Sequence, residues 1–145
     1  MFNEEILLFT KMETFKKLSQ SYFTNLLKKF NLSGLYGKYL IALLDKKPLT
    51  QTELSDILNL DKANITRVVN KLLMLNYITK TRANDNRKFL ISLTNQGIDV
   101  ARFLKEDIDN FIKAVTNNIP IEELTTFSNT LNKICDNSIE YLEHV

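Results

Sequence analysis

Apolar residues recur at helical spacing along most of the chain. In the first segment, steps of three, four and seven residues connect Leu8, Met12, Phe15, Tyr22 and Leu26. Such steps place side chains on one face of a helix and predict a first helix over residues 4–29. The same pattern predicts a second helix from Ser33 to about Leu44, a long fifth helix over roughly residues 94–117 and a sixth from Pro120 onward.

Two short helices separated by a tight turn are predicted in the middle of the chain. Thr50-Gln51-Thr52-Glu53 has the pattern of a capping box, in which the first and last residues satisfy each other's backbone amides. The third helix that follows is expected to point three side chains inward: Leu54, Ile57 and Leu58. Asn59-Leu60 ends it, and Asp61 caps the fourth helix. This order is typical of a helix-turn-helix.

The fourth helix is predicted to have an apolar face and a polar one. At 100° per residue, one side collects Ile65, Val68, Val69, Leu72 and Leu73. The opposite side carries Ala63, Arg67, Asn70 and Met74, with Asn64, Thr66 and Lys71 on the flanks. Arg, Asn and Thr can present donors and acceptors to base edges and phosphates. Taken alone, the same face fits an ordinary solvated helix surface equally well.

A β-hairpin is predicted directly after the fourth helix, and it favours the DNA-binding interpretation. Residues 77–82 and 88–93 read as strands, with a turn at residues 83–86 between them. A hairpin in this position is the wing of a winged helix-turn-helix. Long polar and basic side chains gather at its tip, where they suit a minor groove or its phosphates: Arg82, Asn84, Asn86, Arg87 and Lys88.

The charge of the chain is concentrated in the same region. The 145 residues carry a net charge of +2, but residues 61–93 hold seven basic and two acidic side chains, whereas residues 94–145 hold four basic and nine acidic ones. A basic middle of +5 beside an acidic end of −5 indicates a surface for a polyanion. Mixed charge on a solvated surface is the alternative that composition leaves open.

Several functional classes receive no support from the residues. The chain has no glycine-rich phosphate loop, no nucleophile elbow and no His–carboxylate constellation, so we expect neither an enzyme nor a bound cofactor. His144 alone cannot build a zinc cluster. No apolar run is long enough to span a membrane, and the first residues are acidic where a secretory signal is basic. The single Cys135 fits a protein of the reducing cytoplasm. We expect it to be a small, buried apolar residue.

The outer helices carry more apolar surface than one winged helix can cover. The fifth helix has a stripe at Ala101, Leu104, Ile108, Phe111 and Val115. The sixth has another at Leu124, Phe127, Leu131 and Ile134. This surplus predicts a homodimer in which helices one, five and six form the interface. Packing within a monomer is the alternative.

The order of elements and three short segments resemble the multiple antibiotic resistance regulator (MarR) family over essentially the whole chain. The segments are Leu75–Lys80, Asp85–Lys88 and Ser92–Gly97, which are similar to the end of the family's recognition helix, its Asp-x-Arg wing tip and its Leu-Thr-x-x-Gly start of the fifth helix. Thr66-Arg67 matches the family's Thr-Arg pair. Asn76 stands where the family usually has Gly, a mild departure because Asn accepts a positive φ.

The resemblance implies a mainly α fold, a winged helix-turn-helix with a two-stranded β wing flanked by dimerisation helices. Residues 1–145 would form one domain, with a DNA-binding lobe at 31–93 and dimerisation helices at 1–30 and 94–145. It implies a homodimeric, cytoplasmic regulator of pseudo-palindromic operators in double-stranded DNA, often a repressor relieved by a small-molecule effector. A winged helix that binds protein instead of DNA is the alternative, which the basic wing disfavours.

The sites expected from the helix faces and from the resemblance fall into four groups. In the recognition helix they are Lys62, Ala63, Asn64, Thr66, Arg67, Asn70 and Lys71. In the wing they are Arg82, Asn84, Asp85, Asn86, Arg87 and Lys88, with Asp85 ordering the loop and Arg87 entering the minor groove. At the start of the third helix, Thr50, Gln51 and Thr52 would contact the DNA backbone. Possible lining residues of an effector pocket are Phe15, Tyr36 and Tyr39.

Overall fold

Six helices and three short strands make up the described part of the chain. A computed structural model describes residues 3–34, 36–85 and 87–145. The helices are α1 (Glu4–Lys28), α2 (Tyr36–Leu43), α3 (Gln51–Leu58), α4 (Lys62–Met74), α5 (Asn95–Val115) and α6 (Ile121–Glu143). The strands are β1 (Leu49–Thr50), β2 (Ile78–Arg82) and β3 (Phe89–Leu93). This is the mainly α winged helix predicted from the sequence.

The helix-turn-helix is defined by its capping groups. Thr50 Oγ1 accepts a hydrogen bond from the Glu53 backbone N–H at 3.2 Å, and the Glu53 carboxylate accepts one from the Thr50 backbone N–H at 2.7 Å. Asn59 ends α3 in the left-handed conformation, with φ 52°. Asp61 then caps α4 by accepting from the Asn64 backbone N–H at 2.8 Å. The three predicted capping roles are confirmed.

The sheet contains a strand that the sequence pattern did not predict. The hairpin of β2 and β3 was expected, and its register pairs Ile78 with Leu93 and Arg82 with Phe89. On the other side of β3, the two-residue β1 adds an antiparallel pair, so that the strand order is β1-β3-β2. The hairpin that forms the wing is therefore part of a three-stranded sheet. The additional strand, β1, leads directly into α3.

The chain divides into two compact units, one ending at Ile108 and one running from Asp109 to Val145. The first unit contains the apolar core, in which α2, α3, α4, the sheet and the first half of α5 contribute side chains with almost no exposure: Tyr39, Leu40, Leu54, Ile65, Val69, Leu72, Ile91 and Leu104. In the second unit, none of the residues of α6 is buried.

Two residues expected to be buried are instead exposed: Cys135, which lies on α6 where no residue is buried, and Ile57 of α3. Ile57 was predicted to point inward, yet 53% of its surface is accessible. The buried side of α3 is defined by Leu54, Leu58 and Gln51, and Ile57 lies roughly 100° away from the middle of that side. With little more than two turns, α3 buries only the narrow stripe that packs on its neighbours.

The start of α5 is fixed to the turn between α4 and β2. Thr94 donates twice, from its backbone N–H to the Tyr77 carbonyl at 3.0 Å and from its hydroxyl to the Asn76 carbonyl at 2.8 Å. The Gly97 backbone N–H donates to Thr94 Oγ1 at 2.9 Å, which confirms Thr94 as the cap of α5. Asn76 has a positive φ of 59°, a conformation that asparagine, like glycine, can adopt.

Among the described residues, no helix combines the length and the apolar character that crossing a bilayer requires.

Candidate nucleic-acid interface

The outward face of α4 is polar and accessible, over a face that is buried. Ile65, Val68, Val69 and Leu72 are buried, and Leu73 is half-buried. On the other side, Lys62, Ala63, Thr66, Arg67, Asn70 and Met74 are exposed, and Asn64 and Lys71 are half-buried. The predicted division of α4 into a buried apolar face and an accessible polar face is therefore confirmed. Its accessible side offers one guanidinium and one carboxamide, from Arg67 and Asn70, a turn apart.

Two of the predicted recognition residues are already engaged inside the protein. The Thr66 hydroxyl donates to the Lys62 carbonyl at 2.9 Å and accepts from Gln51 Nε2 at 2.9 Å. The Asn64 side chain donates to the Asp61 carboxylate at 3.0 Å. The Gln51–Thr66 bond joins α3 to α4 and fixes the two helices against each other. Arg67 and Asn70 are consequently the side chains of α4 best placed to reach outward.

The start of α3 is held by the capping box. Hydrogen bonds from the Thr50 backbone and side chain, and the nearby charge of Lys88, lower the pKa of the Glu53 carboxyl, so this group stays ionised and the box stays closed. Thr50 and Gln51 are half-buried and already bonded, whereas the Thr52 side chain is exposed. Of the three residues predicted to contact the DNA backbone, Thr52 is the accessible one.

The wing is an exposed basic loop whose turn is held by a carboxylate. The Ala83 backbone N–H donates to the Lys88 carbonyl at 2.8 Å and closes the hairpin. Inside the loop, Asp85 Oδ1 accepts a hydrogen bond from the Arg87 backbone N–H at 3.2 Å. The side chains of Arg82, Asn84, Arg87 and Lys88 are exposed. Asn86 lies outside the described residues.

Sequence reasoning missed an aromatic platform on the wing. The Lys80 ammonium lies 4.7 Å from the centroid of the Phe89 ring, and the Arg82 guanidinium carbon lies 5.4 Å from it. Alternation along the two strands was visible in the sequence. The pairing that brings Phe89 opposite Arg82 was not, because register depends on the length of a turn.

A cavity of about 440 Å³ lies in the first unit among side chains of α1, α2 and α5. Its lining is largely apolar, with Phe23, Leu26, Leu27, Leu104 and Ile108, and it includes the polar side chains of Gln20, Thr24 and Lys38. The three residues named from the sequence lie elsewhere: Phe15 is 55% exposed on α1, Tyr36 is half-buried, and Tyr39 is in the core. The effector-pocket residues expected from the sequence thus do not line this cavity.

Near that cavity, α1 and α5 are connected by a polar contact. The Tyr22 hydroxyl hydrogen-bonds to the Asp107 carboxylate and donates to the Asp107 carbonyl at 3.1 Å. Burial, followed by the hydrogen bond and the negative charge of Asp107, raises the pKa of Tyr22 to about 12. Tyr22 is therefore a neutral hydrogen-bond donor at any physiological pH.

Comparison with known proteins agrees with this architecture. Residues 37–89, which run from α2 to the first residue of β3, match the sequence model of the MarR family. Over 101 residues the chain is 32% identical to the HTH-type transcriptional regulator SarZ of Staphylococcus saprophyticus, covering 69% of this chain and 66% of that protein. Over 85 residues it is 32% identical to SarZ of Staphylococcus epidermidis, covering 58% and 57%. The matched region therefore spans less than two thirds of the length of these relatives, 66% of the first and 57% of the second.

Solved structures share the fold across most of the chain. A MarR protein from Peptoclostridium difficile superimposes with a TM-score of 0.76 at 22% identity, covering 90% of this chain and 86% of that one. The Staphylococcus aureus MepR–DNA complex gives a TM-score of 0.76 at 16% identity, covering 87% and 92%. A Listeria monocytogenes MarR family regulator in complex with a 26mer DNA gives 0.74 at 18%, covering 89% and 87%. Residues 37–89 thus match the MarR family in sequence, and the helix-turn-helix and wing share the fold of these solved structures.

Proposed function

We propose that the chain is a sequence-specific DNA-binding transcriptional regulator that reads the major groove with α4 and the minor groove with the wing. The observation that carries the proposal is the exposed Arg67–Asn70 face of α4, held over a buried face and followed by a basic wing. The relatives add support, because SarZ is named a transcriptional regulator and two structures of the same fold contain DNA. We expect this activity to be binding without catalysis, in a protein that acts in the cytoplasm, where its operator would lie.

Each polar group of this surface has a role that fits its chemistry. Arg67 and Asn70 suit base edges, since guanidinium and carboxamide groups bind guanine and adenine in two-point fashion. Lys62, Lys71 and Thr52 suit phosphates, which fix position without reading sequence. Arg87 suits the minor groove. Asp85 acts indirectly, by holding the backbone of Arg87.

The test is binding to the DNA upstream of the chain's own gene, compared with scrambled DNA of equal length. Arg67→Ala should weaken specific binding by about 1–3 kcal/mol and leave scrambled DNA nearly unaffected, as loss of a base contact does. Arg102→Ala is the matched control, because Arg102 is an exposed arginine on α5. Equal loss on both DNAs would make Arg67 a phosphate contact, and no preference of the wild type for any upstream DNA would contradict the proposal.

We also propose that the chain works as a homodimer through α1, α5 and α6. All three helices expose large apolar side chains, among them Phe9 at 56%, Ile112 at 48%, Phe127 at 57% and Leu142 at 71%. Exposed apolar surface of this extent marks an interaction site. A symmetric pair would also supply the two recognition helices that a pseudo-palindrome needs.

The substitution Phe127→Asp tests whether the chain is a dimer or a monomer. In an isolated chain this side chain is exposed, so the charge would cost little, whereas in a dimer it would be buried without a partner. We expect light scattering to show a wild-type dimer and a dissociated or unfolded variant, with Asn132→Asp on the exposed side of α6 as the control. A wild type that is monomeric at micromolar concentration would remove the dimer from the proposal.

Repression relieved by an effector is the last part of the proposed function. The cavity of about 440 Å³ has the size of a small-molecule site, and its apolar lining with a few polar groups suits a compact, mainly apolar ligand. The fluorescent probe anilinonaphthalene sulfonate should bind there and weaken operator binding, and Thr24→Trp, which fills the cavity, should abolish both effects. Unchanged probe binding by this variant would place the probe elsewhere and count against an effector site in this cavity.

A further inference from the structure

One aromatic side chain of the wing is exposed to solvent, so that its apolar ring is not stabilised by burial in the core. Phe89, at the start of β3, keeps 42% of its surface accessible. Both Lys80 and Arg82 of β2 lie over its ring, at 4.7 and 5.4 Å from the centroid. One ring therefore carries two positive charges on the part of the chain that carries the highest basic charge.

The strand register shows on which side of the wing this cluster lies. Arg82 pairs with Phe89 and Lys80 pairs with Ile91, so these four side chains share one face of the hairpin. Further along the same face, Ile78 and Ile91 are buried in the core, and α4 contacts β2. The face bearing Lys80, Arg82 and Phe89 is therefore the continuation of the face that packs on the apolar core, to which α4 also contributes side chains.

The ring solves a problem that two neighbouring cations create. Lys80 and Arg82 are two residues apart on one strand face, so their charges repel and their long side chains would spread into solvent. The negative face of an aromatic ring attracts both cations. Stacking covers one side of each cation and leaves its other donors directed outward, which for arginine preserves the planar fork that binds phosphate.

We propose that Phe89 is a positioning residue that holds Lys80 and Arg82 together as a phosphate clamp on the α4 side of the wing. The clamp, which rests on the proposed DNA-binding function, grips the stretch of DNA backbone between the groove occupied by α4 and the groove occupied by the wing tip. Lys80 becomes a further phosphate-binding residue, and both cations stay over the ring when DNA is bound.

The test measures affinity for operator and scrambled DNA at several salt concentrations. Lys80→Ala should lower the salt slope by about one unit on both DNAs, as loss of one phosphate contact does. Phe89→Leu, which keeps an apolar side chain but removes the ring, should weaken binding to both DNAs about two- to five-fold, the equivalent of one exposed cation–π contact. Phe89→Trp should retain wild-type affinity, since it retains an aromatic face.

A double-mutant comparison separates positioning from other roles of the ring. In a Lys80→Ala/Arg82→Ala background, Phe89→Leu should have no further effect on binding, whereas an equal loss there would mean that the ring supports folding or touches DNA itself. Wild-type or tighter binding by Phe89→Leu alone would overturn the clamp, because the ring would then be idle or compete with DNA for the cations. If the wild type binds DNA and the Phe89 substitutions leave its affinity unchanged, only this inference fails. A wild type that binds no DNA overturns the proposed function as well.

Discussion

The contact between α5 and the α4–β2 turn leaves Gly97 less room for a side chain than either of the other two glycines has. A Cβ atom at Gly97 would lie 1.9 Å from the Tyr77 carbonyl oxygen, 2.9 Å from its carbonyl carbon and 3.3 Å from Leu93 Cδ2. The first two atoms are backbone and cannot rotate away. Gly97→Ala must therefore push α5 off the turn by more than an ångström, against the hydrogen bonds by which Thr94 holds that turn.

The cost can be estimated from two contributions. Overpacking a core by one methyl group costs about 1–3 kcal/mol, and more when only backbone can yield. Displacing the Thr94 N–H from the Tyr77 carbonyl adds about 1 kcal/mol for a lost hydrogen bond. The total is about 2–4 kcal/mol, and at about 3 °C per kcal/mol for a chain of this size the melting temperature should fall by about 6–12 °C.

Thermal unfolding followed by circular dichroism measures this shift, with two matched controls. Gly37→Ala places its Cβ 2.5 Å from Leu27 Cδ2, the end of a flexible side chain, so we expect a much smaller effect. Gln96→Ala changes an exposed neighbour on α5 and should be neutral. A Gly97→Ala chain within 3 °C of the wild type, or one no worse than Gly37→Ala, would refute the proposed packing of α5 on the turn.

Three further substitutions test single contacts. Tyr39→Phe should leave the free energy of unfolding unchanged or raise it by up to about 1 kcal/mol, because the buried Tyr39 hydroxyl has no hydrogen-bond partner among the described residues; a loss above about 1 kcal/mol in chemical denaturation would show that the hydroxyl is satisfied. Tyr22→Phe should destabilise the fold by about 1–3 kcal/mol, the value of a hydrogen bond to a carboxylate. Because the pKa of Tyr22 is raised from 10.0 to about 12 in the folded state, this stabilisation is fully present below pH 10 and is lost as the pH rises towards 12. A difference in the free energy of unfolding between the two chains that does not shrink between pH 10 and pH 12 would contradict this role of the hydroxyl. Asp85→Ala should weaken DNA binding although it removes a negative charge, since Asp85 holds the Arg87 backbone, and tighter binding in a gel-shift titration would mean that charge alone governs the wing.

Most of the fold follows from local patterns in the sequence. Helical periodicity predicted α1, α2, α5 and α6 to within a few residues, and capping chemistry located α3 and α4 through Thr50, Asn59 and Asp61. The strand β1 escaped prediction because two residues carry no periodicity, and it exists only by pairing with β3. Ile57 was misplaced for a related reason, since which side of a short helix is covered depends on its neighbours.

The candidate interface was less completely predictable, because contacts between elements decide which side chains remain available. Nothing local shows that Thr66 is engaged by Gln51, fifteen positions earlier in the chain. Likewise, Phe89 reads as an ordinary strand residue until the register places it beneath Lys80 and Arg82. The exposed Arg67 face could be predicted, since it needs only the period of one helix.

The central claim, that α4 reads specific DNA, is tested most directly by selecting bound sequences from a pool of random duplexes with the wild-type protein and with Arg67→Ala. The account predicts that the wild type enriches a pseudo-palindrome whose half-sites are about 10 base pairs apart, one helical turn, and that Arg67→Ala relaxes the preference at matched positions in both half-sites. Enrichment of no motif by the wild type, or an identical motif from both chains, would contradict it.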